Sequence, residues 1–587
     1  MFSSPDLYYL HSDVETRKEL KHKDIRKLLQ QEHYLELEAM DLDFYEISKA
    51  LKSRTFTPLE LETDLNTFMQ KFADVIKENK LSFPHPERSV LNAGKTVIWD
   101  TVFIDDAYVR LTNSTLSSLM EFDDFFVEDL RLKHAAVLST LPRQSCEIFA
   151  DNGNGYVIIG GGMYTWYAFL AIKSLRHSGS TLPVEIMIPD RGGYDDEFCM
   201  DIAPSLGAKC VLFETVFDKE VLKKLDAKGY QLKAMALIGA SFENLMYLDS
   251  DIFTVKNPDA LFTSDVYKKY GMITWPDFWR RTTSPKLYEI VGLDVGGVVR
   301  FLNDFYSPIE RVYRDEELED LDLVNFHDRN GTIPDWSTEA GLLLINKKTH
   351  FNTLLLALYY NLNGPAGYYP LLSQGGAGEG DKETWVLAAH VLNQKWWQVN
   401  KRPDKTYGTW VKDVNWIVDS CIVQADPSED YQLVEKFKVV QEKYREAGVY
   451  NYDYAFGKNA HEFAGVMGEK STKGELQVAS DMFYHLHSPK LDPWNYVLDD
   501  LFTDRNGRQM RNFGDIWPRL KFDLEFWIWE TVHAELCDPN TSHEAIKKMK
   551  CFHGRDFNLL CEGNNSRLEK RIEWLRKDGA QKLRNRG

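Results

Sequence analysis

The sequence lacks any run near the ~18 consecutive apolar residues of a membrane span, and Met1-Phe2-Ser3-Ser4-Pro5-Asp6 lacks the basic-then-apolar pattern of a signal peptide. Read literally, the chain is soluble and untargeted. Four Asn-x-Ser/Thr triplets, at Asn113, Asn330, Asn540 and Asn564, lean toward a secreted chain, although their number is near chance. No Cys-x-x-Cys pair occurs among the seven cysteines, which removes the spacing of a zinc site. In an oxidising lumen, Cys199 with Cys210 and two of Cys537, Cys551 and Cys561 would form disulfides; buried free thiols fit the same spacing, and the odd count leaves at least one unpaired. Positive charge is also scarce: 70 Lys and Arg face 89 Asp and Glu, for a net charge of -19. A phosphate-backbone binder needs clustered cations, so nucleic acid is not an expected partner.

What is present suits a large globular catalyst. A chain of 587 residues with 13% aromatic content can bury an α/β domain and an extension. The organising stretch is Leu245-Met246-Tyr247-Leu248-Asp249-Ser250-Asp251. Four apolar residues read as a short buried strand, and two carboxylates one residue apart follow at its C-terminal end, where open α/β sheets place ligands. Acids at i and i+2 point to one side of an extended segment and can share a hard divalent cation that holds a diphosphate. The spacing recurs at Asp41/Asp43 and Asp320/Asp322, so a solvated acidic turn is the competing reading, but only the copy at Asp249/Asp251 sits behind an apolar strand.

Around it the chain falls into segments. Residues 1–90 are charged and helical in pattern, with Leu59, Leu61, Phe68, Phe72 and Val75 at helix-like spacing, and read as a helical stem. Pro84 and Pro86 break the pattern, and Asn92-Ala93-Gly94 reads as the link to a main domain over 91–500. Gly155 to Ile159 is a strand running into Gly160-Gly161-Gly162, with a helix from Tyr164 to Arg176 behind it. The third glycine of a dinucleotide fingerprint falls on Thr165, so the turn is read as one that brings backbone close to a base or ribose rather than as a NAD or FAD loop. Strands at 184–188 and 210–213, with a helix at about 196–206, extend this into a parallel sheet with right-handed crossovers.

Beyond the acids, Trp275-Pro276-Asp277-Phe278-Trp279-Arg280-Arg281 sets aromatic faces beside charged groups, a texture that suits a carbohydrate and equally suits a buried aromatic cluster. The stretch 310–322 reads as an acidic solvated face. A second apolar strand, 341–346, follows Glu339, and a helix spans 351–360. Gly378-Glu379-Gly380-Asp381-Lys382-Glu383-Thr384 leads into a helix at 385–392, and its acids fit either catalysis or pairing with the helix dipole. His485, His487 and Lys490 lie on a proline-restrained loop, where a histidine would complete a manganese shell and the lysine would meet a phosphate. Residues 501–587 read as an α-rich segment ending in a solvated basic tail from Arg567 to Arg586.

These segments, in this order, resemble glycosyltransferase family 71, the fungal α-mannosyltransferases of the Golgi. The resemblance covers roughly residues 130–500 and rests on Gly160-Gly161-Gly162, Leu175 to Gly179, Tyr230-Gln231-Leu232-Lys233, Tyr247 to Asp251, Trp275 to Trp279, Glu339-Ala340-Gly341, Gly378 to Thr384 and His487 to Pro493. Trp275 to Phe278 and Gly378 to Thr384 look most like the branch-initiating α-1,2 enzymes of N-glycan mannan. The resemblance implies a GT-A (Rossmann-like) α/β fold, with a nucleotide-binding half at about 130–300 and an acceptor half at about 330–500. It implies retaining transfer of mannose from GDP-mannose to an α-1,6-mannan backbone or another mannose-containing acceptor, with Mn2+ as cofactor. It also implies a type II protein of the Golgi lumen, whose anchor helix this sequence does not contain.

On that reading Asp249 and Asp251, with His487 or His485, hold the metal. Lys233, Lys490, Ser250 and the Gly160–Gly162 turn meet the donor. Asp381 is the carboxylate at the sugar, with Glu379, Glu383 and Asp277 beside it, and Trp275, Trp279, Arg280 and Glu339 face donor sugar or acceptor. The alternatives are α-1,3 linkage, a UDP-sugar donor, or a glycan-binding protein without turnover.

Overall fold

The computed structural model describes residues 57–61, 64–82, 109–303, 313–411, 416–446, 479–514, 520, 522–540, 544–561 and 567–584. Most of the expected stem, the link at 92–94 and the acid pair Asp41/Asp43 lie outside the described residues.

Among the described residues, two sheets carry the fold. The larger has seven strands in the order β3-β2-β1-β4-β7-β6-β8: β1 Asn154–Ile159, β2 Val184–Ile188, β3 Ala208–Leu212, β4 Asn244–Leu248, β6 Met272–Pro276, β7 Thr338–Asn346 and β8 Trp397–Gln398. Strands β1 to β4 are mutually parallel, and β7 runs antiparallel to both β4 and β6. The second sheet is antiparallel, in the order β5-β11-β10-β9: β5 Ile252–Thr254, β9 Asp404–Val411, β10 Trp416–Ala425 and β11 Asp481–His485.

Alternation along each central strand sends side chains to opposite cores, because successive Cβ atoms point to opposite faces. Tyr156 and Ile158, Met246 and Leu248, and Leu342 and Leu344 pack with the helix Tyr164–His177 on one face. Val157, Leu245 and Tyr247, and Leu343 and Ile345 pack with the helices Gln231–Gly239 and Lys347–Leu362 on the other. Both faces are therefore covered, which is why these strands read as unbroken apolar runs. With acids at the end of β4, this is the α/β, GT-A type of arrangement.

Several local expectations shift. The helix expected at 196–206 is present over 196–205, with its middle, Phe198–Ile202, wound as a π-helix, beside a disulfide between Cys199 and Cys210. The third strand ends at Leu212, and Phe213 opens a helix. The strand expected from Gly341 begins at Thr338, bringing Glu339 into the sheet. A second disulfide joins Cys537 to Cys561, and Cys551 stays a thiol.

The basic tail is not simply solvated. The helix Arg567–Arg584 buries Leu568 and Leu575, and Arg571 is fully buried, donating to Glu525, Asn512 Oδ1 and Gln509 Oε1. Every third or fourth residue faces the core, and the basic residues between them face out. The acidic helix Asp315–Glu319, by contrast, buries nothing. No described helix is long and apolar enough to cross a membrane.

Candidate active site

The site forms where the two sheets meet. Pairing of β4 with β7 continues one residue past the strand, as Asp249 N–H donates to Gly341 O at 2.9 Å. The chain then turns, Ile252 N–H donating to Asp249 O at 3.1 Å, and enters β5 of the second sheet. Because β5 pairs with β11 in the register Ile252↔His485, the imidazole arrives directly beside Asp251. A further bond, Leu486 N–H to Asp251 O at 3.0 Å, fixes that junction. Gly341 keeps this crossing uncrowded, since a Cβ would stand 3.3 Å from Asp249 Oδ2 and 3.2 Å from Glu339 Oε1 and press both carboxylates aside.

Asp249, Asp251 and His485 each direct one ligand atom to a common point, all within 4.8 Å of one another. Two carboxylates and an imidazole are a donor set for a hard or borderline divalent cation. Glu339 completes the arrangement: its Oε1 lies 3.1 Å from His485 Nδ1, leaving Nε2 toward Asp251 Oδ1 at 3.3 Å. A carboxylate behind a histidine is the usual means of fixing the ring of a metal ligand. The histidine of the cluster is therefore His485, while the ring of His487, two residues on, lies outside it. Glu339, expected at the acceptor, instead orients this ring.

Protein cations balance the acids. Lys490 Nζ donates to Asp251 Oδ2, and burial opposes the Asp251 charge but Lys490 and His485 hold its carboxyl far below the usual range. Burial likewise opposes a charged imidazole, yet Asp251 and Glu339 raise His485 to about 10. Glu339 is in turn lowered to about 2, its burial outweighed by His485. These residues fit a cation: the charge a metal would bring is already supplied by groups able to yield it, the imidazole by losing its proton and Lys490 by swinging away on a side chain 45% exposed.

Lys233, from the helix Gln231–Gly239, joins this cluster to a second carboxylate. Its Nζ reaches Asp249 Oδ1 at 3.1 Å, Ala340 O at 3.0 Å and Asp381 Oδ2 at 3.6 Å. The ammonium is thus committed to the acids, where the sequence alone points it at a donor phosphate. Asp381 is 2% exposed, and its Oδ2 accepts no hydrogen bond. Burial, with Asp249 nearby, pushes its carboxyl up to about 6 against the pull of Lys233. Asp277 pairs with Lys382 Nζ at 2.9 Å, and burial raises its carboxyl. Gly378, at φ +70, lets the loop pass over this pair.

Other expected contacts resolve into structure. Trp275 is fully buried, its indole N–H donating to Ala425 O at 2.9 Å and its ring edge-on to Phe483. Arg280 is buried against Asp335, Asn325 and the Val109 carbonyl. Glu383 is ion-paired with Arg281 and accepts Thr338 N–H at 3.0 Å, bracing β7. Neither these two aromatic and guanidinium faces nor Glu383 is available to a sugar. Trp279 is half-buried and lines a small recess with Ser337 and Lys382, and Glu379 accepts the Gly375 N–H at 2.9 Å, shaping the loop before Asp381. Gly161 and Gly162 pack against a second turn, Gly162 N–H donating to Gly193 O at 2.9 Å, and Gly160 N–H continues the ladder to Met187 O. Ser250 is buried in the turn between the two acids.

Residues 153–445 match the family described as "Mannosyltransferase putative". The chain is 33% identical to the α-1,2-mannosyltransferase MNN5 of Saccharomyces cerevisiae over 528 residues, covering 85% of this chain and 88% of that protein. It is 34% identical to MNN21 of Candida albicans, covering 77% and 67%, and 35% identical to MNN2 of S. cerevisiae, covering 73% and 71%; both are named α-1,2-mannosyltransferases. Among solved structures, the glycosyltransferase GlyE of Streptococcus pneumoniae aligns at 14% identity and TM-score 0.25 over 42% of this chain and 45% of that one. The galactosyltransferase LgtC aligns at 11% and TM-score 0.22, over 42% and 73%. The extent and identity of the match to MNN5, taken with the acids at the end of β4, establish that this chain is a glycosyltransferase belonging to the fungal α-1,2-mannosyltransferase family.

Proposed function

We propose that the protein transfers mannose from GDP-mannose, with retention and in α-1,2 linkage, to an α-1,6-mannan backbone or another mannose-terminated acceptor in the Golgi lumen. The observation that carries the reading is the convergence of Asp249, Asp251 and His485 in a chain of this family. The Cys199–Cys210 and Cys537–Cys561 disulfides support an oxidising compartment. The segment at about 130–300 serves the nucleotide, and about 330–500 supplies the sugar-facing and acceptor side.

Asp249, Asp251 and His485 would hold manganese, which when bound supplies positive charge to the diphosphate leaving group. Glu339 keeps Nε2 of His485 turned toward the metal. Lys490 leaves Asp251 and pairs with phosphate. Lys233 holds Asp249 and Asp381 together, so that the carboxylate meant for the metal and the one meant for the sugar keep a fixed separation. Asp381, with an acceptor oxygen unspent, binds a mannose hydroxyl or faces the positive centre that develops as the sugar bond breaks. An α-linked donor giving an α-linked product excludes simple in-line attack, so retention proceeds through a carboxylate-bound sugar or by same-face attack beside the leaving phosphate.

The test is thermal stabilisation of the purified protein by GDP-mannose, GDP, UDP-galactose and UDP-glucose, each with manganese or with EDTA. A ligand of the native state adds about 2.7 kcal/mol of stability at a hundredfold excess over Kd. A manganese-dependent shift confined to guanosine compounds is expected, followed by linkage analysis of the product. A shift with uridine compounds alone would overturn the donor.

A further inference from the structure

The helix that carries Lys233 is preceded by Tyr230, whose side chain is 57% exposed while Lys233 is buried. Its ring rests on the α-carbon of Gly380, where a Cβ would stand 3.2 Å from Tyr230 Cδ2. Gly380 is the residue before Asp381. An exposed aromatic ring is thus seated on the main chain next to the sugar-facing carboxylate, and nothing in the donor cluster uses it.

The ring borders a cleft of about 400 Å³, within the size range of small-ligand sites. Tyr369 also lines the cleft. Its hydroxyl donates to Asn361 Oδ1 at 2.7 Å, and its ring is pressed against Gly364, where a Cβ would stand 2.4 Å from Cζ, so its position is fixed. Burial pushes the Tyr369 phenol upward, and the Asp381 carboxylate adds to the rise. Leu362 adds apolar surface, while Asp226, Lys228 and Gln231 add polar groups. Asp226 pairs with Lys228 at 2.9 Å, and Lys80 also lines the cleft.

An aromatic platform with polar groups around it suits a polyhydroxylated ring, whose C–H face stacks while its hydroxyls bond outward. We infer that this cleft is an acceptor subsite that holds the mannose units adjoining the accepting one, with Tyr230 as its stacking platform. The inference rests on the mannosyltransferase reading and gives it an acceptor-length preference.

The experiment measures binding of methyl α-mannoside and α-1,6-linked mannotriose by calorimetry to the GDP- and manganese-loaded protein, and in parallel the KM of each acceptor. Wild type, Tyr230→Ala and Tyr230→Phe are compared. In Tyr230→Ala the advantage of mannotriose over the monosaccharide falls about tenfold, the scale of one lost aromatic contact, while GDP binding and the donor KM stay put. Tyr230→Phe retains the advantage, because the ring rather than the hydroxyl does the stacking. Equal mannotriose binding by wild type and Tyr230→Ala would overturn the subsite. Mannotriose binding that depends on Tyr230 without any transfer by wild type would uphold the subsite and overturn the transferase reading alone.

Discussion

Two regions of this protein crowd acids and cations together, and they use them oppositely. At the end of β4, Asp249, Asp251, Glu339 and Asp381 are held by Lys233, His485 and Lys490, nearly all side chain to side chain. In the 275–283 segment, Arg280 and Arg281 meet Asp335 and Glu383, but they also spend donors on main-chain carbonyls of Val109, Pro334 and Trp336. A side-chain cation can be displaced by a metal or a phosphate. A carbonyl locked in the backbone cannot leave, so the second network is a brace. Charge density alone therefore does not identify a site; what matters is whether the partners are exchangeable.

The sharpest way to break this comparison is at Asp251. Asp251→Ala should abolish transfer, by about a thousandfold or more, and remove manganese-dependent GDP binding while the fold persists. Transfer surviving at saturating manganese would sink the metal assignment. Asp381→Asn should lower turnover by roughly a hundredfold and leave GDP affinity intact; a collapse of GDP affinity in calorimetry would place Asp381 in the metal shell.

On the brace, the expectation reverses. Arg281→Ala leaves Glu383 buried and unpaired, and should cost about 3–5 kcal/mol in chemical unfolding while manganese and GDP still bind the folded fraction. Loss of GDP binding without loss of stability would make this segment a site after all.

Asp328 extends the brace, accepting from Leu302 N–H, Tyr313 hydroxyl and Asn325, and burial raises its carboxyl from 3.8 to about 6. With the folded value above the unfolded one, the native state binds the extra proton. This contribution is complete below about pH 4 and is lost as pH rises through 6, roughly 3 kcal/mol in all. Unfolding midpoints at pH 4 and pH 7 should show a smaller decline in Asp328→Asn than in wild type. The smallest effect is expected from Trp275→Phe, which removes the bond to Ala425 O and part of a fully buried ring at about 2 kcal/mol of stability, with little change in acceptor KM. A large rise in acceptor KM would return this ring to the sugar.

Much of the central sheet was legible because its strands are buried on both faces, so their apolar runs and the glycines and acids closing them stand out in one dimension. The strand 184–188 and the helices starting near Tyr164 and Thr384 fall where the patterning puts them. Less legible was the choice between His485 and His487, which turned on the register of β11 against β5, a pairing across more than two hundred residues. Tyr230 drew notice only as part of a motif, since an aromatic residue before a helix carries no sign of the loop it will meet.

By itself the sequence determined the α/β alternation, the strand ending in Asp249-Ser250-Asp251 and the family, since these depend on local periodicity and on ordered motifs. Only the tertiary structure decided which charged groups remain exchangeable. Trp275 and Arg280 look as functional in sequence as Asp381 and Lys490, and burial against fixed backbone carbonyls removed the first two from chemistry. That outcome depends on which atoms meet across the fold, and a hydrogen-bond donor can be spent only once.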